Sequence, residues 1–167
     1  MLIRAKGDLL AMAAAGQFQM IVHGCNCQND MGGGIANQIA KLYPEAVTAD
    51  NHINNYLVDA EKLGNWSECI VSDKSTWTDI RGTTAHWFKI INAYTQYLGG
   101  AGTFNYSAFQ LILDKLAILE PTAKYGLPYI GCGIAGGDQN IVVDIIEKFA
   151  IQVASTGGTV TLVEFGG

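Results

Sequence analysis

Two glycine-rich segments, Gly32-Gly33-Gly34-Ile35 and Gly131-Cys132-Gly133-Ile134-Ala135-Gly136-Gly137, each follow an apolar run and precede a helical pattern. Glycine lets a backbone approach an anion closely, and the first N–H groups of a helix, at its positive end, bind phosphate without a lysine. Two such loops suit a grip on a diphosphate from both sides. The triplet carries neither known phosphate signature: no Gly-Lys-Ser/Thr follows it, and it lacks the Gly-x-Gly-x-x-Gly spacing with an early strand-end acid. On glycine content alone, a flexible turn is an equal reading of the triplet.

A few polar side chains stand near these loops. Asp8 follows the first apolar run, where a carboxylate suits either an exocyclic amine or the N-cap of a following helix. His23 ends the second run, three residues before Asn26. An imidazole titrates near neutrality and can act as nucleophile or base, although a lone histidine at a strand end is ordinarily structural. Asp138 opens the last helical pattern, either as acid partner of His23 or as N-cap and dipole partner of that helix. Phe165 closes the chain's last apolar run, as a wall for a flat ligand or as a core aromatic.

Cysteines and histidines point to no metal and no cofactor. Cys25 and Cys27 are one residue apart, Cys69 and Cys132 are isolated, and the histidines are scattered at positions 23, 52 and 86, so structural zinc spacing is absent. A chain of this size needs no disulfide staples, and free thiols in a reducing cytoplasm are expected. Cys25 and Cys132 have no visible thiolate-stabilising neighbour, which argues against either as a nucleophile.

The elements that must position these residues alternate along the chain. Leu2–Ala5 and Met20–Cys25 read as buried strands, and Ile35, Ile39, Ala40 and Leu42 recur at helical spacing until Pro44. Pro44–Leu63 reads as a surface helix, and Cys69–Ser72 and Trp87–Tyr97 as strands. After a glycine turn at Gly99, Gly100 and Gly102, the apolar spacing from Ala108 to Leu119 predicts a helix stopped by Pro121. Pro128–Cys132 reads as a strand, Gln139–Val153 as an amphipathic helix and Thr159–Phe165 as the last strand. Strands alternating with helices predict one α/β domain, layered α/β/α around a mixed, largely parallel sheet, and ligands of such sheets sit beyond the strands' carboxyl ends. Both glycine loops fall at such ends.

The 167 residues are 49% apolar and 15% charged, enough for one core and little for a second domain. No apolar run approaches the length a membrane span needs, and Gly7 and Asp8 interrupt the signal-like pattern of the first residues. Ten basic against fifteen acidic residues, a net charge of −5 without any basic cluster, disfavour non-specific nucleic-acid binding. An anionic nucleotide would then be held chiefly by backbone N–H groups.

Taken as an ordered set, Gly7-Asp8-Leu9, His23-Gly24-Cys25-Asn26 leading into Met31-Gly32-Gly33-Gly34-Ile35-Ala36, Ala93-Tyr94-Thr95-Gln96 and Ile130–Asp138 resemble the macrodomains over nearly the whole chain. The branch most resembled holds the yeast-type ADP-ribose 1″-phosphate phosphatases and the terminal ADP-ribose glycohydrolases. A monomer is expected, and the resemblance implies that its small-molecule ligand is ADP-ribose or ADP-ribose 1″-phosphate. It implies that Asp8 accepts from the adenine amine with Leu9 backing the base and that Phe165 walls the adenine. Asn26 would meet the distal ribose, Gly32, Gly33, Gly34 and Ile35 the ribose and inner phosphate, and Gly133, Ile134, Ala135, Gly136 and Gly137 the diphosphate.

His23 matches the phosphatase-like branch, where most macrodomains carry asparagine. The implied activity is therefore removal of the 1″-phosphate, with His23 as nucleophile or base and Asp138 as its acid partner. The alternatives are a non-catalytic ADP-ribose-binding module and a hydrolase of ADP-ribosyl esters. Ala135 stands where the glycohydrolases carry a catalytic aspartate, and Lys74 lies in the region of their catalytic lysine, which puts their mechanism in doubt here.

Overall fold

In the computed structural model, which describes residues 1–72, 86–99, 103–130 and 136–166, the chain alternates strand and helix nearly throughout. The order is β1 (Ile3–Gly7), α1 (Leu9–Ala14), β2 (Met20–Asn26), α2 (Gly34–Leu42), α3 (Pro44–His52), a 3-10 turn at Ile53–Asn55 and α4 (Asp59–Lys62). There follow β3 (Trp66–Ser72), β4 (Trp87–Gln96), α5 (Tyr106–Leu119), β5 (Lys124–Leu127), α6 (Gln139–Ala154) and β6 (Thr159–Phe165).

The sheet has six strands in the order β1-β6-β5-β2-β4-β3. All neighbours are parallel except β3, which runs antiparallel along the edge of β4. β2 lies in the middle and is buried on both faces, which is why it reads as an unbroken apolar run rather than an alternating one. Its side chains nevertheless divide strictly by parity. Met20 and Val22 join the core under α5 and α6 with Phe109, Ile112 and Phe149, while Ile21 joins Leu9, Leu10, Ile39 and Ala46 under α1, α2 and α3. Helices thus cover both faces, giving the three-layer α/β/α arrangement.

Two expected elements differ most. The single helix over Pro44–Leu63 is broken after His52 into a 3-10 turn and the one-turn α4; Asn51, Asn54 and Asn55 are residues whose amides compete locally with helical hydrogen bonds. The strand expected at Pro128–Cys132 lies earlier, at Lys124–Leu127, because Pro128 has no N–H to give a central ladder. Gly131 and Cys132, like Gly100 and Gly102 of the expected glycine turn, lie outside the described residues. Among the described residues no helix is long and apolar enough to cross a membrane.

Candidate ligand-binding cleft

Parallel strands that all end on one side leave a crevice beyond their carboxyl ends, and here it is a cleft of about 750 Å³ past β2, β4 and β5. Its walls are Gly24, Cys25 and Asn26 from β2, Thr95 and Gln96 from β4 continuing to Leu98 and Gly99, and Pro128–Ile130 after β5. Gln28, Asp30 and Gly33–Ala36 close it from the β2–α2 connection. Gly24 is required at the floor, since a Cβ there would stand 2.9 Å from both Thr95 Oγ1 and Ile130 Cγ2.

The start of α2 is left open toward the cleft. Helices α1, α5 and α6 are each capped by a side chain, from Asp8, Asn105 and Asp138, whereas α2 begins at Gly33 with no side-chain cap and opens directly into the cleft. Gly34 takes φ 58°, a conformation glycine adopts at little cost. The first N–H groups of α2 therefore lack intrahelical acceptors and sit at the positive end of its dipole.

Ahead of α2, Asn26 organises the turn that carries Gln28 and Asp30. Its Oδ1 accepts from Gln28 N at 2.9 Å and Asp30 N at 3.3 Å, and its Nδ2 donates to Asp30 O at 2.9 Å. Asp30 Oδ1 accepts from Gly32 N at 2.9 Å. Asp30 is the only charged side chain among the described lining residues. No lysine or arginine lines the cleft among them, so an anionic ligand would depend on backbone amides.

The sequence-predicted residues divide. Asn26, Gly33, Gly34 and Ile35 line the cleft. Gly32 stands beside it, but its N–H is committed to Asp30 rather than left for a phosphate. Gly133, Ile134 and Ala135 lie outside the described residues, as does Lys74. Gly136 and Gly137 are described just before α6 but do not line the described cleft, although Gly136 has φ 72°. Asp8 and Phe165 come side by side, since Gly7 of β1 pairs with Phe165 of β6. Phe165 is 77% exposed, not a core aromatic, and Leu9 is buried in the core under α1. Both hydrogen bonds of Asp8 fall on Oδ1, from Leu10 N at 3.0 Å and Ala11 N at 3.1 Å, so one carboxylate oxygen caps the helix and the other has no protein donor among the described residues.

The catalytic pair is not brought together at the cleft. His23 has no exposed surface; it shares the alternation of β2 with Ile21 and lies, through Asn92, beside Ala46 of α3. Its Nε2 lies 2.7 Å from Asn92 Oδ1. Asn92 Nδ2 donates to Ala46 O and Ser67 Oγ, both at 3.0 Å, so the amide oxygen faces the ring and the imidazole carries its proton on Nε2. Burial lowers the His23 pKa to about 4, a shift the Asn92 contact only partly opposes, and the ring is neutral at pH 7. Asp138 accepts from Asn140 N at 2.8 Å as the N-cap of α6, and its own N–H donates to Tyr106 Oη at 2.8 Å. Asp138 thus serves as an N-cap and His23 as a fully buried partner of Asn92, and neither lines the described cleft.

Cys25 lies near His23, with Sγ 3.8 Å from Nδ1 and 3.7 Å from Nε2. Near-equal distances to both nitrogens put the sulfur over the ring rather than in line with either lone pair. Burial and the nearby Asp50 carboxylate hold the thiol well above its usual pKa, so no thiolate–imidazolium pair forms. Among the described residues no three His, Cys, Asp or Glu side chains gather as a metal site.

Sequence reasoning passed over Gln28, Asp30 and Leu98, and quoted Thr95 and Gln96 as part of a motif without giving them a ligand role. Asp30 was within reach: it shares with Asn26 the polar segment between the second strand and the glycine triplet. Leu98 and Tyr129 carried no signal, because nothing local says which loop residues fold over a strand end.

No family model matches the chain. Among curated proteins it is 33% identical over 154 residues to an uncharacterized 17.5 kDa protein of Enterobacteria phage T4, covering 89% of each. It is 26% identical over 184 residues to the ADP-ribose 1″-phosphate phosphatase of Saccharomyces cerevisiae, covering 90% of this chain and 94% of that one. Among solved structures, the macrodomain of Mycobacterium tuberculosis DarG superposes with a TM-score of 0.70 at 22% identity, over 96% of this chain and 97% of that one. Thermosipho africanus DarTG in complex with ADP-ribose gives 0.66 at 13% identity, over 92% of this chain and 39% of that longer one.

Proposed function

We propose that this chain, which belongs to the macrodomain family, binds ADP-ribose in the cleft beyond β2, β4 and β5. The observation that carries the reading is the uncapped, glycine-built start of α2 opening into a cleft whose described lining has no cationic side chain. Such a site takes its anion through backbone amides and the helix dipole. At about 750 Å³ the cleft falls within the 300–1,000 Å³ typical of small-molecule sites. In this reading Asn26 and Asp30 face the distal ribose, and Asp8 and Phe165, which do not themselves line the described cleft, offer a carboxylate oxygen and an exposed ring for the adenine. The likeness to a structure holding ADP-ribose, and to an enzyme acting on an ADP-ribose derivative, supports the same reading.

Calorimetry tests it. ADP-ribose is expected to bind with a Kd on the order of micromolar, about −8 kcal/mol, and ADP, AMP and GDP-ribose more weakly. Equal affinity for ADP-ribose and AMP would sink the assignment.

Removal of the 1″-phosphate is a second reading, favoured by the yeast phosphatase. In this cleft the group at hand for acid–base work is Asp30, as base to a water, rather than His23 or Asp138. Phosphate release from ADP-ribose 1″-phosphate is then expected to fall about 100-fold in Asp30→Asn and to hold in His23→Gln. The opposite pattern returns catalysis to the histidine.

A further inference from the structure

We infer that Lys62, which does not reach the cleft, fixes the distal-ribose subsite by pinning the Cys27–Asp30 turn from behind; this rests on the ADP-ribose reading. Lys62 ends α4 and has no exposed surface. A buried ammonium is expensive unless each of its three N–H donors finds an acceptor. Here they do: Cys27 O at 2.9 Å, Asn29 Oδ1 at 3.0 Å and Asp59 Oδ1 at 3.0 Å. Only the last is a local ion pair within α4. The other two belong to the turn whose opposite side presents Asn26, Gln28 and Asp30 to the ligand space.

The turn needs such a clamp. Asn29 is the single non-glycine residue with positive φ among the described residues, at 59°. Its side chain is held on three sides: Oδ1 accepts from Lys62 and from Asn54 Nδ2 at 2.9 Å, and Nδ2 donates to Asp50 O at 2.7 Å. Asp50 is itself buried and accepts from Tyr94 Oη at 2.7 Å. Tyr94 contacts Ser67 Oγ at 2.8 Å, and Ser67 accepts from Asn92, the partner of His23. One polar network thus runs from the middle of the sheet to the back of the turn, and Lys62 is the member that bonds the turn's own backbone at Cys27. A turn ordered before ligand arrives spares the ordering cost on binding, and that saving falls only on ligands that contact it.

The test compares ADP-ribose with ADP, which lacks the distal ribose, in wild type and in Lys62→Met, alongside Tm. The expected result is an ADP-ribose to ADP affinity ratio lowered about tenfold while ADP binding stays within about twofold of wild type. A purely structural Lys62 would lower Tm and weaken both ligands together, or leave the ratio unchanged, and either result overturns the inference. Should Lys62→Met fail to fold, Asn29→Gly decides. Glycine accepts the positive φ but removes all three side-chain bonds, and it must lower the same ratio. A wild-type protein with no preference for ADP-ribose over ADP sinks the binding proposal and this inference together; an unchanged ratio in the variants sinks only this one.

Discussion

His23 should be a pH-dependent weak point of the fold rather than a catalyst. Its ring is buried and neutral, with a pKa lowered to about 4 by desolvation against an ordinary value of 6.5. Because the unfolded chain takes up this proton more readily, stability from this group is fully present above pH 6.5 and is lost as pH falls toward 4. At pH 5 the unfolded imidazole is protonated about 30-fold over neutral while the folded ring remains about 10-fold neutral. The wild-type fold therefore loses about 2 kcal/mol between pH 8 and pH 5 at this one site. Asp50 works the other way, since burial raises its carboxyl pKa and its penalty eases as pH falls, so wild type alone is not a clean readout. The comparison is urea unfolding of wild type and His23→Gln at pH 8 and pH 5. Wild type should lose about 2 kcal/mol more than the variant, near 1 M in urea midpoint for an m value of about 2 kcal/mol/M. ADP-ribose affinity at pH 7.5 should match in the two proteins. Parallel pH dependences would show that the ring is solvated and titrates normally, and would reopen its place in the cleft.

Substitutions at two further positions separate binding from folding. Asp8→Asn keeps an N-cap oxygen for α1 but replaces the second carboxylate oxygen with an NH2 group. Tm should stay close to wild type while preference for ADP-ribose over GDP-ribose falls about tenfold by calorimetry; Asp8→Ala should add about 1 kcal/mol of instability in urea melts. Gly33→Glu is conformationally free, since φ is −126° and ψ 151°, but it sends a carboxylate into the anion site, so ADP-ribose affinity should fall more than about 100-fold with Tm nearly unchanged. A Gly33→Glu protein that binds normally would move the phosphates elsewhere.

Much of the scaffold was legible because its signals are local. Thr159–Phe165 is a strand with the expected bounds, and α6 ends within one residue of expectation, because each combines a clear period with a clear stop. The two glycine loops were read from glycine and position, and Gly33, Gly34 and Ile35 of the first line the cleft. Other features were set by partners distant in sequence. β3 starts at Trp66 rather than Cys69 because its antiparallel pairing to β4 extends to Ala93, and no local pattern in Trp66-Ser67-Glu68 announces that edge. Lys62 reads in sequence as one more surface lysine, and only the folded chain shows that α4 is laid against the β2–α2 turn.

The burial of His23 is more instructive, because alternation along β2 is written in the sequence while depth along the strand is not. Alternate residues of a strand share a face, so His23 enters the layer of Ile21 and Cys25, and it lies one step inside Cys25, the member of the three that reaches the cleft. The register of β2 against β4 makes this concrete: His23 pairs with Asn92 and Gly24 with Ala93, each residue sharing its neighbour's face, and only between Cys25 and Asn26 does the register shift. That irregularity comes after His23 and re-aims Asn26 at the strand end without altering the faces upstream. A histidine in a family position invites a catalytic role, but the pleat decides which layer it enters. Here the layer under α3 already supplies Asn92 as a hydrogen-bond acceptor and excludes water, and both conditions favour a neutral, structural imidazole.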